Sequence, residues 1–149
     1  MEKPERILPP VYFLAAVCLM AALHFLFPIA RILPAAYSSG GVLILIGMFL
    51  ILWAVRLFGK AGTTIKPFEA STKMIVAGPY RWSRNPIYLG MAIILLGIGL
   101  VFGTLTPFAI LPLFVWLIQK NFIAREEAML DKSFGAAYAE YKKRIRRWL

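Results

Sequence analysis

The sequence predicts an all-α integral membrane protein, with about four transmembrane helices, the last two forming a helical hairpin, and then a C-terminal amphipathic helix at the interface. Hydrophobic residues make up 60% of the 149 against 16% charged, far from the usage of soluble domains. Lys, Arg, Asp and Glu are absent from residues 7–30, 32–55 and 85–119, and each block meets the roughly 20 residues a helix needs to cross a bilayer. Four spans drawn through these blocks leave every basic residue but Arg31 on one side. A soluble dinucleotide-binding domain is excluded.

The first span runs from about Pro10 to Phe27 and stops at Pro28, which lacks the N–H a helix interior needs. It is longer than the roughly 7–15-residue apolar stretch of a signal peptide, and Phe27-Pro28-Ile29-Ala30 is a poor cleavage site, so it reads as retained. The second span covers about Gly41 to Phe58. Residues 85–119 would exceed 50 Å as one helix, at about 1.5 Å per residue, against a bilayer core of about 30 Å. That block therefore folds back on itself. Gly103-Thr104-Leu105-Thr106-Pro107 supplies the turn, giving a third span of about Ile87–Phe102 and a fourth of about Pro107–Phe122, which Pro112 is expected to kink. A long loop, 59–86, joins the second span to the third, and the whole chain reads as one membrane-embedded domain.

Cytoplasmic loops collect Lys and Arg, so the basic face is expected to be cytoplasmic, with both termini on that side of the inner membrane. The net charge of +10 is then a topological signal, and no nucleic-acid partner is expected. From about residue 124 to 147, Leu130, Phe134, Ala137, Tyr138, Tyr141, Ile145 and Trp148 recur at three- and four-residue steps. This predicts an amphipathic helix whose basic face suits anionic lipid, with Gly135 as the point where it bends or breaks.

One cysteine, Cys18, and one histidine, His24, exclude a structural zinc site and a disulfide framework. No metal is expected. His24 reads as a polar contact inside the bundle. All seven acidic residues lie outside the spans, so the intramembrane carboxylate of a small proton-coupled exporter is lacking. Chemistry is confined to the interface, where loop 59–86 meets Arg125-Glu126-Glu127. Residues alone leave two readings there: a pocket, or an interfacial aromatic belt on a non-enzymatic membrane protein such as a transporter subunit or lipid-binding scaffold.

The run GPYRWSRNPIYLG entering the third span, preceded by AGTTIKPFEAST and followed by REEAMLDKSFGAAYAEYKKRIRRWL, closely resembles the isoprenylcysteine carboxyl methyltransferase and phospholipid N-methyltransferase superfamily. The resemblance covers about residues 57–149. It implies an integral-membrane enzyme that moves a methyl group from S-adenosylmethionine to an amphiphilic or lipid-like acceptor. The family signature Arg-His-Pro-x-Tyr-x-Gly corresponds to Arg84-Asn85-Pro86-Ile87-Tyr88-Leu89-Gly90, and its Glu-Glu pair to Glu126-Glu127. Asn85 stands where the family has histidine; it can hydrogen-bond but cannot titrate near neutrality.

The resemblance implies roles that fit the ligand's chemistry. Glu126 and Glu127 suit a ribose diol and an ammonium, Arg84 and Asn85 suit a carboxylate, and Pro86, Tyr88 and Leu89 suit an adenine wall. Gly90 allows close approach of cofactor or of a neighbouring helix. Arg81 or Arg84 would orient an anionic acceptor, while Glu126 or Glu127 would take a proton from an amine or thiol; Arg81 and Glu127 are the candidate catalytic pair. Arg144 either closes over the site or faces lipid. Gly97-Ile98-Gly99 resembles a Gly-x-Gly element of the phospholipid methyltransferases, but mid-span glycines also serve helix packing.

Overall fold

The structure is a computed structural model that describes residues 8–31, 35–63 and 72–149. Lys3, Arg6 and residues 64–71 of the AGTTIKPFEAST stretch, with Lys66 and Glu69, lie outside the described residues. Among the described residues six α-helices follow in order: α1 Pro9–Leu26, α2 Ala35–Ala61, α3 Pro86–Phe102, α4 Ile110–Ile118, α5 Ala124–Phe134 and α6 Ala136–Arg144. No strand occurs among the described residues, and α1, α2 and the run Thr106–Phe134 are each long and apolar enough to cross a bilayer. The expected all-α integral membrane protein is what the chain forms.

Local sequence sets each boundary. Pro9 and Pro10 open α1, where a missing N–H costs nothing, and the Phe27 N–H closes it on Leu23 O before Pro28. Helix α2 is 27 residues long, about 40 Å by helical rise. It extends beyond the expected 41–58 at both ends, because nothing from Ala35 to Ala61 stops a helix. Lys60 in its last turn complements the dipole. Pro86 opens α3, and Gly103, at φ +69°, ends it in a left-handed turn that L side chains resist.

The fourth apolar segment does not stop at residue 122. A 3-10 turn, Thr106–Ala109, leads into α4, then a π turn, Gln119–Ile123, then α5 as far as Phe134. Ala124 to Lys132 are good helix formers, so the helix continues until Gly135, at φ +48°, breaks it. The single tail helix expected over 124–147 is accordingly two helices, and the second ends at Arg144. Pro112 falls in the first turn of α4, where helices accept proline, between the 3-10 turn before that helix and the π turn after it.

Helices α2 and α3 form the most extensive interface. A Cβ on Gly97 would stand 2.6 Å from Gly40 O, and one on Gly47 would stand 2.6 Å from Gly90 O. Two glycine pairs thus bring the backbones together, the means by which helices associate in lipid. On the other side of α3, Ala16 and Met20 of α1 meet Leu95, Ile110, Phe114 and Ile118 in the core. Leu14, Leu45 and Phe49 point outward, as lipid-facing side chains do. At the end remote from the signature motif, His24 Nδ1 lies 2.9 Å from Thr104 Oγ1 and the ring stacks on Phe102. His24 is the bundle contact expected of it.

Candidate active site

The signature motif sits where α3 begins. The 3-10 turn Gly78–Arg81 precedes it, anchored by the Phe58 ring against Tyr80 and by Trp53 against Trp82. Ser83 and Asn85 are buried, and Ser83 Oγ accepts from the Asn85 N–H at 3.1 Å. Pro86 is buried as the first residue of α3, while Tyr88, one turn in, faces α5.

Two carboxylates reach this place from the first turn of α5. Tyr88 Oη donates to Glu126 Oε1 at 2.6 Å. Glu127 stands among guanidiniums: Arg84 Nη1 is 3.2 Å from Oε1, and Arg147 donates from Nε to Oε1 at 3.1 Å and from Nη2 to Oε2 at 2.6 Å. The side chains of Arg84 and Glu127 are only 12% and 13% exposed, so this is an ion cluster of low dielectric in which each charge needs the other. Arg84 Nε and Nη1 are buried without a hydrogen-bond partner among the described residues.

A third wall comes from α6 and the extended residues after it. Tyr138 is buried; burial, with Glu127 adding to it, pushes its phenol up to about 12. Tyr141 Oη donates to Tyr80 O at 2.7 Å, and burial raises both phenols. Lys142 meets Asp131 at 2.7 Å, tying α6 back to α5 across Gly135. Beyond α6, Arg146 O accepts from the Arg84 N–H at 3.0 Å and Arg147 O accepts from Asn85 Nδ2 at 3.0 Å. Trp148 Nε1 donates to Gln119 Oε1 of the π turn at 3.2 Å.

Of the residues singled out from sequence, Arg84, Asn85, Pro86, Tyr88, Glu126 and Glu127 gather in this cluster. Arg84 and Glu127, assigned to different groups of a ligand, face each other. Leu89 lies half-buried on α3. Gly90 and Gly97 are used by helix packing, since both carry the α2 backbone against them. Arg81 is exposed and lines a separate groove of about 360 Å³ with Met74, Val76, Tyr141 and Ile145. Arg144 lies at that groove and pairs with Glu140 of its own helix at 3.0 Å.

Sequence reasoning missed Arg147, Ser83 and the Tyr138–Tyr141 wall as parts of the cluster. Ile145 and Trp148 fit a helical repeat, which placed Arg146 and Arg147 on the basic face; the break after Arg144 brings the Arg147 side chain onto Glu127, while that of Arg146 stays exposed. No local signal marks the break, since Arg146 and Arg147 are themselves good helix formers.

This arrangement can be set beside known proteins. A protein of Schizosaccharomyces pombe named protein-S-isoprenylcysteine O-methyltransferase is 31% identical over 91 residues, 58% of this chain and 39% of that one. One of the same name from Saccharomyces cerevisiae is 29% identical over 132 residues, 81% of this chain and 54% of that one. The chain thus spans about half or less of these two relatives. An uncharacterized protein of Haemophilus influenzae is 38% identical over 63 residues, 42% of this chain and all of that one. The sequence pattern of the phospholipid methyltransferases matches residues 35–137, from the first residue of α2 into α6 and across the whole signature cluster, and the chain therefore belongs to the phospholipid methyltransferase family.

Proposed function

We propose that the protein is an S-adenosylmethionine-dependent methyltransferase acting on an amphiphilic or lipid-like acceptor at the cytoplasmic face of the inner membrane. The observation that carries this reading is the convergence of Arg84, Asn85, Tyr88, Glu126 and Glu127 at one end of an apolar bundle. The donor set fits the cofactor. Arg84 Nε is buried without a hydrogen-bond partner among the described residues, and Nη1 has only its ion pair with Glu127, so a ligand carboxylate would satisfy a donor the chain leaves open. Glu126 and Glu127 are the acceptors an ammonium or ribose diol requires.

When bound, the cofactor supplies a methyl group on a sulfonium, open to in-line displacement by the acceptor. The chain's residues align and shield that displacement. Tyr88 fixes Glu126 through one oxygen; the other has no hydrogen bond among the described residues and takes the proton when the acceptor is an amine or thiol. A carboxylate acceptor brings no such proton. Tyr138, Tyr141 and Trp148 wall the cluster on the side of α6 and the residues after it. Trp82, 63% exposed, and Lys120 over the Trp116 ring suit a membrane interface. The basic residues of α6 and beyond suit anionic lipid.

The reading is tested by supplying membranes that contain the protein with methyl-labelled S-adenosylmethionine and measuring label in the organic extract. Labelled amphiphile that disappears with Glu126→Gln supports it. Label at the level of membranes without the protein refutes it.

A further inference from the structure

Residues 145–149 leave α6 through Ile145, extended at φ −118° and ψ 129°, and lie against the start of α3. Three successive residues hold them there: Arg146 through its carbonyl to the Arg84 N–H, Arg147 through its carbonyl to Asn85 and Ser83, and Trp148 through its indole to Gln119. The Arg147 guanidinium adds a two-point contact with Glu127.

That contact is not needed for charge balance. Glu127 already has Arg84 Nη1 at 3.2 Å, and that pair alone is neutral. Arg147 is also the outermost of the three, its side chain 35% exposed against 13% for Glu127. Arg84 Nε, by contrast, is buried without a hydrogen-bond partner among the described residues, while Nη1 has only its ion pair with Glu127. A buried donor open to an anion therefore adjoins a carboxylate whose second cation is supplied from within the chain. A group bearing both a carboxylate and an ammonium, as every α-amino acid does, matches the two positions together.

We propose that Arg147 is an internal competitor for the cation position at Glu127, so that segment 145–149 has to swing away before an α-amino acid group can engage Arg84 and Glu127. This deepens the cofactor reading above and rests on it. The segment works as a latch whose closed fraction lowers apparent affinity, because a ligand binds only the open form. Trp148 on Gln119 connects the latch to the π turn ahead of α5, the helix that carries both glutamates.

The test combines calorimetric titration of S-adenosylhomocysteine into wild type and Arg147→Ala, both in nanodiscs, with hydrogen–deuterium exchange over residues 140–149 of wild type before and after the same ligand. The expected result is roughly two- to fivefold tighter binding to Arg147→Ala, together with faster exchange in wild type once ligand is added. Unchanged or weaker binding to the variant, or slower exchange on ligand addition, overturns the latch and makes the segment a fixed wall, while the cofactor reading stands. Absence of binding to both folded proteins overturns both. If Arg147→Ala does not fold, the exchange measurement on wild type decides alone.

Discussion

Glu127→Gln removes the negative charge that two guanidiniums share while keeping the side chain's shape. The cost divides unequally between the partners. Arg84 is 12% exposed and would be left as a buried cation without an anion, a change that costs about 3–5 kcal/mol. Arg147 is 35% exposed and can turn to water, so its share is roughly 1 kcal/mol or less. A double-mutant cycle separates the two. Arg84→Met and Glu127→Gln, alone and together, should show a coupling of at least about 2 kcal/mol in chemical unfolding followed in detergent. The cycle of Arg147→Met with Glu127→Gln should give under about 1 kcal/mol. Additive effects in the first cycle, or the larger coupling in the second, would refute the assignment of Arg84 as the buried partner.

Other expectations concern packing, orientation and pH. Gly97→Leu places a side chain where the Gly40 carbonyl lies 2.6 Å from an ideal Cβ; it should lower stability by about 1–3 kcal/mol and Tm with it, while cofactor affinity in protein that remains folded is unchanged. Tyr88→Phe deletes the 2.6 Å hydrogen bond to Glu126, worth about 1.5–3 kcal/mol to a charged acceptor. It should weaken S-adenosylhomocysteine binding in calorimetry without displacing α3. The phenol of Tyr138 keeps its proton to about 12 when folded but only to about 10 when unfolded. Below pH 10 its contribution is complete; from pH 10 to about 12 stability should fall by up to about 1.4 kcal/mol per unit. Ultraviolet titration of tyrosinate alongside unfolding checks it, and Tyr138→Phe should flatten the loss.

Much of the bundle was legible because lipid imposes strict rules. Uninterrupted apolar stretches, Pro86 at a helix start and Gly103 at a helix end each admit one local solution. The ends of α2 and α5 were harder: where no breaker intervenes, polar residues such as Ser38 or Arg125 simply prolong a helix into the interface. At the site, the residue types named the chemistry and the motif order brought Arg84, Asn85, Tyr88 and the two glutamates together. Their partners were not legible. That Glu127 meets Arg147 and not only a ligand depends on a break after Arg144 that periodicity conceals, since Ile145 and Trp148 continue the helical repeat in sequence but not in space. Gly90 and Gly97 show the reverse case: glycines compatible with either ligand or helix, decided by the opposite helix having glycines at the matching seven-residue spacing.

Cofactor binding is the property on which the whole site turns. S-adenosylhomocysteine titrated calorimetrically into nanodisc-held wild type, with Glu126→Ala alongside, should show saturable binding to wild type and its loss in the variant. A folded wild type that takes up no S-adenosylhomocysteine, or a Glu126→Ala variant that binds it as well as wild type, would contradict the site described above.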